Sequence, residues 1–403
     1  MTDPTRARVI GPLAPYAAGF CEELAGQGYT QASAACQLNL MAHASRWLAS
    51  QQLKPDELSS AQVEEFLQAR RAAGYTWKLS QRGMVPLLVY LRRLGVIPIP
   101  TARVARTETE RFIEQYRSYL VTERGLAARR VVGHLATTRL FLSACEGEAG
   151  LDLAGLTAGH VVGFVLDECR RRRPASAKAL VTGLRSLLRF TFLAGYTPRQ
   201  LSGAVPHTAH RAGSLSRALD ADVVAGLLAS CDRRTPAGRR DFAILTVLAR
   251  LGLGAGEVAI LQLDDVAWHQ GEIVVRGKGS RTERLPLPVD VGEAIVGYLH
   301  DEHPRNCSRA LFVRVHAPIT GLSGGGVVDV VGRACERAGL PRVGAHRLRH
   351  TVATGMLRGG ASLAEVGQVL RHAGSNSANT AIYAKVDRVA LRTLAQPWPG
   401  SAA

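Results

Sequence analysis

The sequence predicts a multidomain, mainly α protein: two helical modules followed by a mixed α/β domain that carries a small antiparallel sheet. Three observations lead there. The first two hundred residues place apolar side chains at three- and four-residue spacing with few β-type alternations, which is the helical period. Within them a unit recurs. Leu58-Ser59-Ser60-Ala61-Gln62-Val63 with Phe66 is echoed by Leu156-Thr157-Ala158-Gly159-His160-Val161 with Phe164, and both read as capped helix starts. Leu91 to Pro98 is echoed by Arg189 to Pro198, each a helix closed by glycine and then proline, and Gly28-Tyr29-Thr30 falls into step with Gly125-Leu126-Ala127. These echoes lie 97 to 100 residues apart. The third observation is the pair of strand-like runs Glu272–Arg276 and Arg284–Pro288 around Gly277-Lys278-Gly279-Ser280, a β-hairpin signature.

Taken in order, residues 1–103 and 104–203 are two copies of one four- or five-helix unit. From 204 to 216 the chain turns to Gly, Pro, His, Ser and Arg without helical period and reads as a linker. Residues 217–403 form the last domain. It opens with helices at Asp222–Ala229 and Arg239–Leu251, passes through the hairpin, and returns to helix from Gly325 onward. At 403 residues the chain exceeds what one hydrophobic core of roughly 250 to 300 residues sustains.

Composition narrows the function classes. The 46% hydrophobic and 21% charged content is that of an ordinary globular chain, and no run approaches the roughly 18 apolar residues of a membrane span. The segment Met1 to Ile10 carries Asp3, Arg6 and Arg8 with no apolar stretch, so the expected location is cytoplasmic. Seven scattered cysteines, never spaced C-x-x-C, argue against a disulfide framework or a zinc knuckle. Fifty Lys and Arg against 33 Asp and Glu leave a net charge of +17, which favours a polyanionic partner.

The last domain gathers side chains suited to phosphoryl transfer. His346 and Arg349 stand at i and i+3, on one helix face, where both can grip one phosphate. Arginine suits that task because its planar fork donates two parallel charge-assisted hydrogen bonds. Lys278, between glycines at a hairpin tip, has the reach to enter a DNA groove. Tyr383, in Thr380-Ala381-Ile382-Tyr383-Ala384-Lys385, can act as a covalent nucleophile. Either His346 or His372 alone would be read as a packed structural histidine; their order with Arg349 and Tyr383 reverses that reading. His350 and Trp268 are read as packing residues.

The segment His346-Arg347-Leu348-Arg349-His350-Thr351, followed by Val369-Leu370-Arg371-His372 and Ile382-Tyr383-Ala384, resembles the C-terminal signature of tyrosine recombinases and phage integrases. Upstream, Ala249 to Val258 is similar to the segment bearing that family's first catalytic arginine, and Lys278 falls where its hairpin lysine belongs. The resemblance covers roughly residues 217 to 390. It implies SAM-like helical modules that clamp double-stranded DNA, and a catalytic domain in which Tyr383 attacks the scissile phosphate. It further implies Lys278 as the proton donor to the leaving hydroxyl, Arg349, His346 and His372 as phosphate ligands, and Glu257 as their brace. No cofactor or metal enters that chemistry. The implied partners are duplex DNA and a synaptic homotetramer, with room for other recombinase subunits.

Two departures stand out. At the first arginine's position this chain has Gly254, with Glu257 retained three residues on. Arg250, one turn earlier, rises roughly 6 Å along the helix and points elsewhere. The stretch from His372 to Tyr383 is about two residues longer than the common family form, which a surface loop absorbs. Gly254 keeps a non-catalytic DNA-binding accessory relative open as an alternative, and a type IB topoisomerase-like nicking enzyme is the other. The run Arg170-Arg171-Arg172-Arg173 with Lys178, together with Arg347 and Arg371, supplies the expected DNA-backbone contacts. The first module is expected to bind DNA or to serve assembly.

Overall fold

The computed structural model describes residues 8–99, 107–147, 150–172, 174–206, 218–277, 282–302 and 308–371. Lys278, His372, Tyr383 and Arg173 lie outside them. The chain forms two compact units. One joins residues 1–99 with 214–403, and the other is 100–213.

The first helical bundle comprises α1 (Ala17–Gly26), α2 (Gln31–Ser50), α3 (Ser60–Ala72) and α4 (Gln81–Arg93). Phe20, Leu24, Met41, Leu48, Leu67, Met84, Leu87 and Leu91 meet in a closed core. The Thr30 and Ser59 hydroxyls accept from the free N–H groups of Ser33 and Ala61 at the starts of α2 and α3, caps worth about 1 kcal/mol each.

The second unit repeats this plan. Its helices are α5 (Glu108–Ser118), α6 (Ala128–Cys145), α7 (Ala158–Arg171) and α8 (Pro174–Leu193), with a two-residue ribbon of β1 (Glu146–Gly147) and β2 (Gly150–Leu151) after α6. Phe112, Tyr116, Phe141, Leu184, Leu187, Leu188 and Phe190 form its core. Helix starts at Gln31 and Ala128, and at Ser60 and Ala158, fall 97 and 98 positions apart. The match is tightest along α4 and α8. Met84, Leu87, Leu88 and Tyr90 are buried, as are Leu184, Leu187, Leu188 and Phe190 a hundred residues later, and both helices run into a glycine with positive φ, Gly95 and Gly195.

The third core belongs to the last domain. It is built from α9 (Ala221–Ala229), α10 (Pro236–Leu251), α11 (Ala255–Ala259), a sheet of β3 (Val266–Ala267), β4 (Glu272–Arg276) and β5 (Thr282–Pro286), then α12 (Val289–Glu302), α13 (Gly324–Arg337), α14 (Ala345–Arg358) and α15 (Leu363–Val369). The sheet is antiparallel in the order β3-β4-β5, and it pairs Arg276 with Thr282, so the second hairpin strand begins two residues before the sequence expectation. The short strand β3 is an addition to that expectation. Helix α10 starts at Pro236 instead of Arg239, because Thr235 caps it and proline suits the first turn, whose N–H has no partner anyway. Helix α10 lies at the centre, with Ile244, Leu245, Val247 and Leu248 packed against Ile273, Val275, Ile295, Val330 and Leu348.

Candidate active site and nucleic-acid interface

Helix α10 ends at Gly252, whose φ of +59° gives the left-handed turn that glycine adopts without strain. That turn delivers the chain to Gly254, which caps the short α11, and to Glu257 inside it. The Glu257 carboxylate is the hub of the site. It accepts from the Gly254 N–H at 2.6 Å, from Arg349 Nη1 at 2.9 Å, and from Arg371 Nε and Nη2 at 3.2 and 3.0 Å. Burial by itself would raise its pKa. The hydrogen bonds from Arg371 and the Gly254 amide, with the charges of Arg371 and Arg349, outweigh burial and hold Glu257 below its ordinary carboxylate range.

Arg349 comes from α14 and is held on three sides. Besides Glu257 it donates to the Gly252 carbonyl at 3.1 Å and to the Leu370 carbonyl. Its side chain is 12% exposed, so this is a fixed guanidinium near the surface. His346, one turn before it, is exposed, and its Nε2 lies 2.9 Å from Nε2 of buried His350. Partial burial and then the charge of Arg349 lower the pKa of His346, which favours the neutral ring at neutral pH.

Gly254 stands beside this cluster. A Cβ placed there would lie 3.9 Å from Arg349 Nη1 and 3.3 Å from Glu257 Oε2, so a side chain at this position enters the same pocket. Arg250 is committed elsewhere, to Asp290 on α12, in an exposed pair. Arg371, which the sequence placed on the DNA side, turns inward: its side chain is 3% exposed, and it spends its remaining donor on the Val369 carbonyl at 2.8 Å. Arg347 lines a small cavity with Leu219, Val223 and Leu340, toward α9. The structure therefore brings Glu257, Gly254, Arg349, His346 and Arg371 together and sets Arg347 apart.

The second unit carries a different kind of surface. The Arg170-Arg171-Arg172 run ends α7, where it pairs with Asp167 and Glu168 at 2.7 to 4.0 Å. Lys178 instead joins a groove of about 740 Å³ between α6 and α8 that also holds Arg124, Arg130, His134, Arg185 and Arg189. Among the described residues no acidic side chain lines it. Burial and then the charges of Arg124 and Arg130 lower the pKa of His134. Sequence reading missed these arginines because contiguous charge draws notice. The available signal was the i, i+4 spacing of Arg130 with His134 and of Arg185 with Arg189, which stacks cations on one helix face.

Comparisons with known proteins agree with this geometry. The model of the phage integrase family matches residues 217–389. A Sinorhizobium fredii (strain NBRC 101917 / NGR234) protein named as an integrase/recombinase, y4rA, is 40% identical over 399 residues, 97% of this chain and 96% of that one. Tyrosine recombinase XerD of Listeria monocytogenes serotype 4b (strain F2365) is 30% identical over 286 residues, 70% of this chain and 95% of its own. Among solved structures, the XerH site-specific recombinase bound to a palindromic difH substrate aligns with a TM-score of 0.55 at 17% identity, covering 82% of this chain and 93% of that chain. A lambda integrase dimer bound to a COC' core site aligns at 0.52 and 15%, covering 84% and 88%. At these identities the two structures speak for the fold, while the sequence relatives speak for descent: this chain belongs to the phage integrase family of tyrosine recombinases.

Proposed function

We propose that this chain is a site-specific recombinase that cleaves and rejoins duplex DNA through a 3′-phosphotyrosyl link formed by Tyr383. The observation that carries the reading is the Arg349 guanidinium, locked by Glu257 and two carbonyls beside exposed His346. A charge fixed before the substrate arrives stabilises the developing phosphoryl charge without reorganisation at the moment of reaction. In the proposed step the Tyr383 phenol gives up its proton to solvent as its oxygen bonds to phosphorus, the 5′-oxygen leaves, and Lys278 gives that oxygen its proton. Arg349, His346 and His372 hydrogen-bond the non-bridging oxygens. Attack by the 5′-hydroxyl of a partner strand then breaks the phosphotyrosyl bond and restores the phenol, so bond energy is conserved and no nucleotide hydrolysis is needed.

The working unit on this reading is a homotetramer on DNA, alone or with other recombinase subunits, acting at the nucleoid in the bacterial cytoplasm. The basic α6/α8 groove supplies phosphate contacts, with Lys178 among them. Arg170, Arg171 and Arg172, paired with acids, contribute less.

Gly254 favours a second reading, an accessory DNA-binding relative with impaired cleavage, since one lost preorganised charge costs about a hundredfold to a thousandfold in rate. Incubation with a nicked suicide duplex, followed by a denaturing gel, separates the readings. A covalent adduct that matures to recombinants supports strand exchange, an adduct with relaxation alone indicates a nicking enzyme, and bound DNA without adduct indicates the accessory protein.

A further inference from the structure

The duplication allows the two bundles to be compared position by position, and the comparison separates their roles. In the second bundle the α6/α8 groove is lined by Arg124, Arg185 and Arg189. The repeat, in step at 97 residues before α6 and at 100 along α8, puts Gln27, Val85 and Val89 at the matching places, and all three line a groove of about 1400 Å³ on the first bundle. At these three places cations have become an amide and two valines, and the cations that do line the groove, Arg82, Arg93 and Arg314, share it with Glu22 and Glu23, Arg93 being paired to Glu23 at 2.6 Å. A face whose cations are offset by carboxylates and interleaved with valines neutralises fewer phosphates than the groove of the second bundle, which no acidic side chain lines among the described residues.

A protein segment lies against it. The chain from Val313 to Gly321 doubles back on itself, with Val313 bridged to Gly321 and the Arg314 N–H donating to the Thr320 carbonyl at 2.9 Å. Its base is fixed in the last domain, where the Val313 N–H donates to Tyr298 Oη at 3.3 Å and its carbonyl accepts from buried Arg240 at 3.2 Å. Its tip reaches the first bundle. The Ile319 N–H donates to the Gln27 carbonyl at 2.9 Å, and the Ile319 side chain sits on Gly28, where an added Cβ would come within 2.4 Å of Cδ1. Gly125, the matching glycine of the second bundle, faces open space.

We infer that the first bundle is a protein-docking module whose groove, the counterpart of the basic groove in the second bundle, receives the Ile319 hairpin of the last domain and does not contact DNA. It thereby braces the recombinase domain through protein contacts alone. This reading is independent of the Tyr383 chemistry.

The test uses the full chain. Val85 and Val89 are half exposed, so Val85→Glu/Val89→Glu changes the face without opening a core. If the face does not touch DNA, the slope of log affinity against log salt stays at the wild-type value in this variant. The matching Arg185→Glu/Arg189→Glu variant flattens it by about 1.8, at about 0.9 for each phosphate no longer neutralised. Hydrogen exchange reads the docking itself: Ile319→Asp, and separately Gly28→Ala, should speed exchange of the residue-319 amide at least about tenfold. A slope flattened by about one or more in Val85→Glu/Val89→Glu would place the face on DNA and overturn the proposal. So would unchanged exchange at residue 319 in both docking variants.

Discussion

Restoring the missing cation, by Gly254→Arg, should speed cleavage and cost stability together. Backbone geometry permits it, because Gly254 has φ −77° and ψ 153°, an extended conformation open to any residue, and only the Glu257 carboxylate oxygen, 3.3 Å from the new Cβ, must yield by a few tenths of an ångström. The pocket already balances two guanidinium groups against one carboxylate. A third, roughly 6 Å from Arg349 at an effective dielectric of 20, meets a repulsion of about 2.8 kcal/mol. Sharing Glu257 and reaching water offset part of this, so about 1 to 2 kcal/mol of stability is lost in free protein. Bound DNA reverses the balance, since the scissile phosphate supplies the counter-charge. The expected gain is about a hundredfold to a thousandfold in adduct formation on a suicide duplex under single-turnover conditions. Denaturant unfolding of the same preparation gives the other half. A rate gain without stability loss would refute the crowding argument. An intact fold with no rate gain would mean that Gly254 does not occupy the arginine's place.

Further outcomes follow from the same structure. Tyr383→Phe should abolish the covalent adduct while leaving affinity within about twofold, because only the nucleophilic oxygen is removed; an adduct surviving on a denaturing gel would remove the assignment. Glu257→Gln leaves two buried guanidinium groups without their carboxylate and should cost about 3 to 5 kcal/mol in denaturant unfolding. Since the folded pKa of Glu257 is depressed, its contribution is fully present above the unfolded value and is lost as pH falls through the folded one. The stability gap between wild type and variant should therefore narrow only as pH falls below the ordinary carboxylate range, and a gap that widened with falling pH would contradict this. Arg130→Ala/Arg189→Ala should flatten the salt slope by about 1.8 if both arginines meet phosphates; an unaltered slope would take the α6/α8 groove off the DNA.

The helical period, the cap residues Ser59 and Thr157 and the glycine-ended helices made the helices of the first two hundred residues legible, because each is a local preference of the backbone. The hairpin was legible for the same reason, and its register was not: Arg276 pairs with Thr282, two residues ahead of the expected start of the second strand. The site divided likewise. Arg349 and His346 announce themselves by helical spacing, and Glu257 by its motif. Arg371 folds inward through its own positive φ onto a carboxylate 114 residues away in sequence, which outcompetes water for the guanidinium only once the tertiary fold is made. The α6/α8 groove escaped because its cations are dispersed over two helices that only tertiary packing brings together.

Glu257 also sets a timetable. The carboxylate joins the turn after α10, helix α14 and the end of α15, so three stretches of chain must be present before Arg349 is fixed. On a ribosome adding about 5 to 20 residues each second, Glu257 is made several seconds ahead of Arg371. Through that interval the nascent protein can fold both bundles and present cationic helices to nearby nucleic acid, yet it holds no assembled grip on a phosphate. On the proposed reading, competence to cleave arrives only once Arg371 has been made and folded onto Glu257.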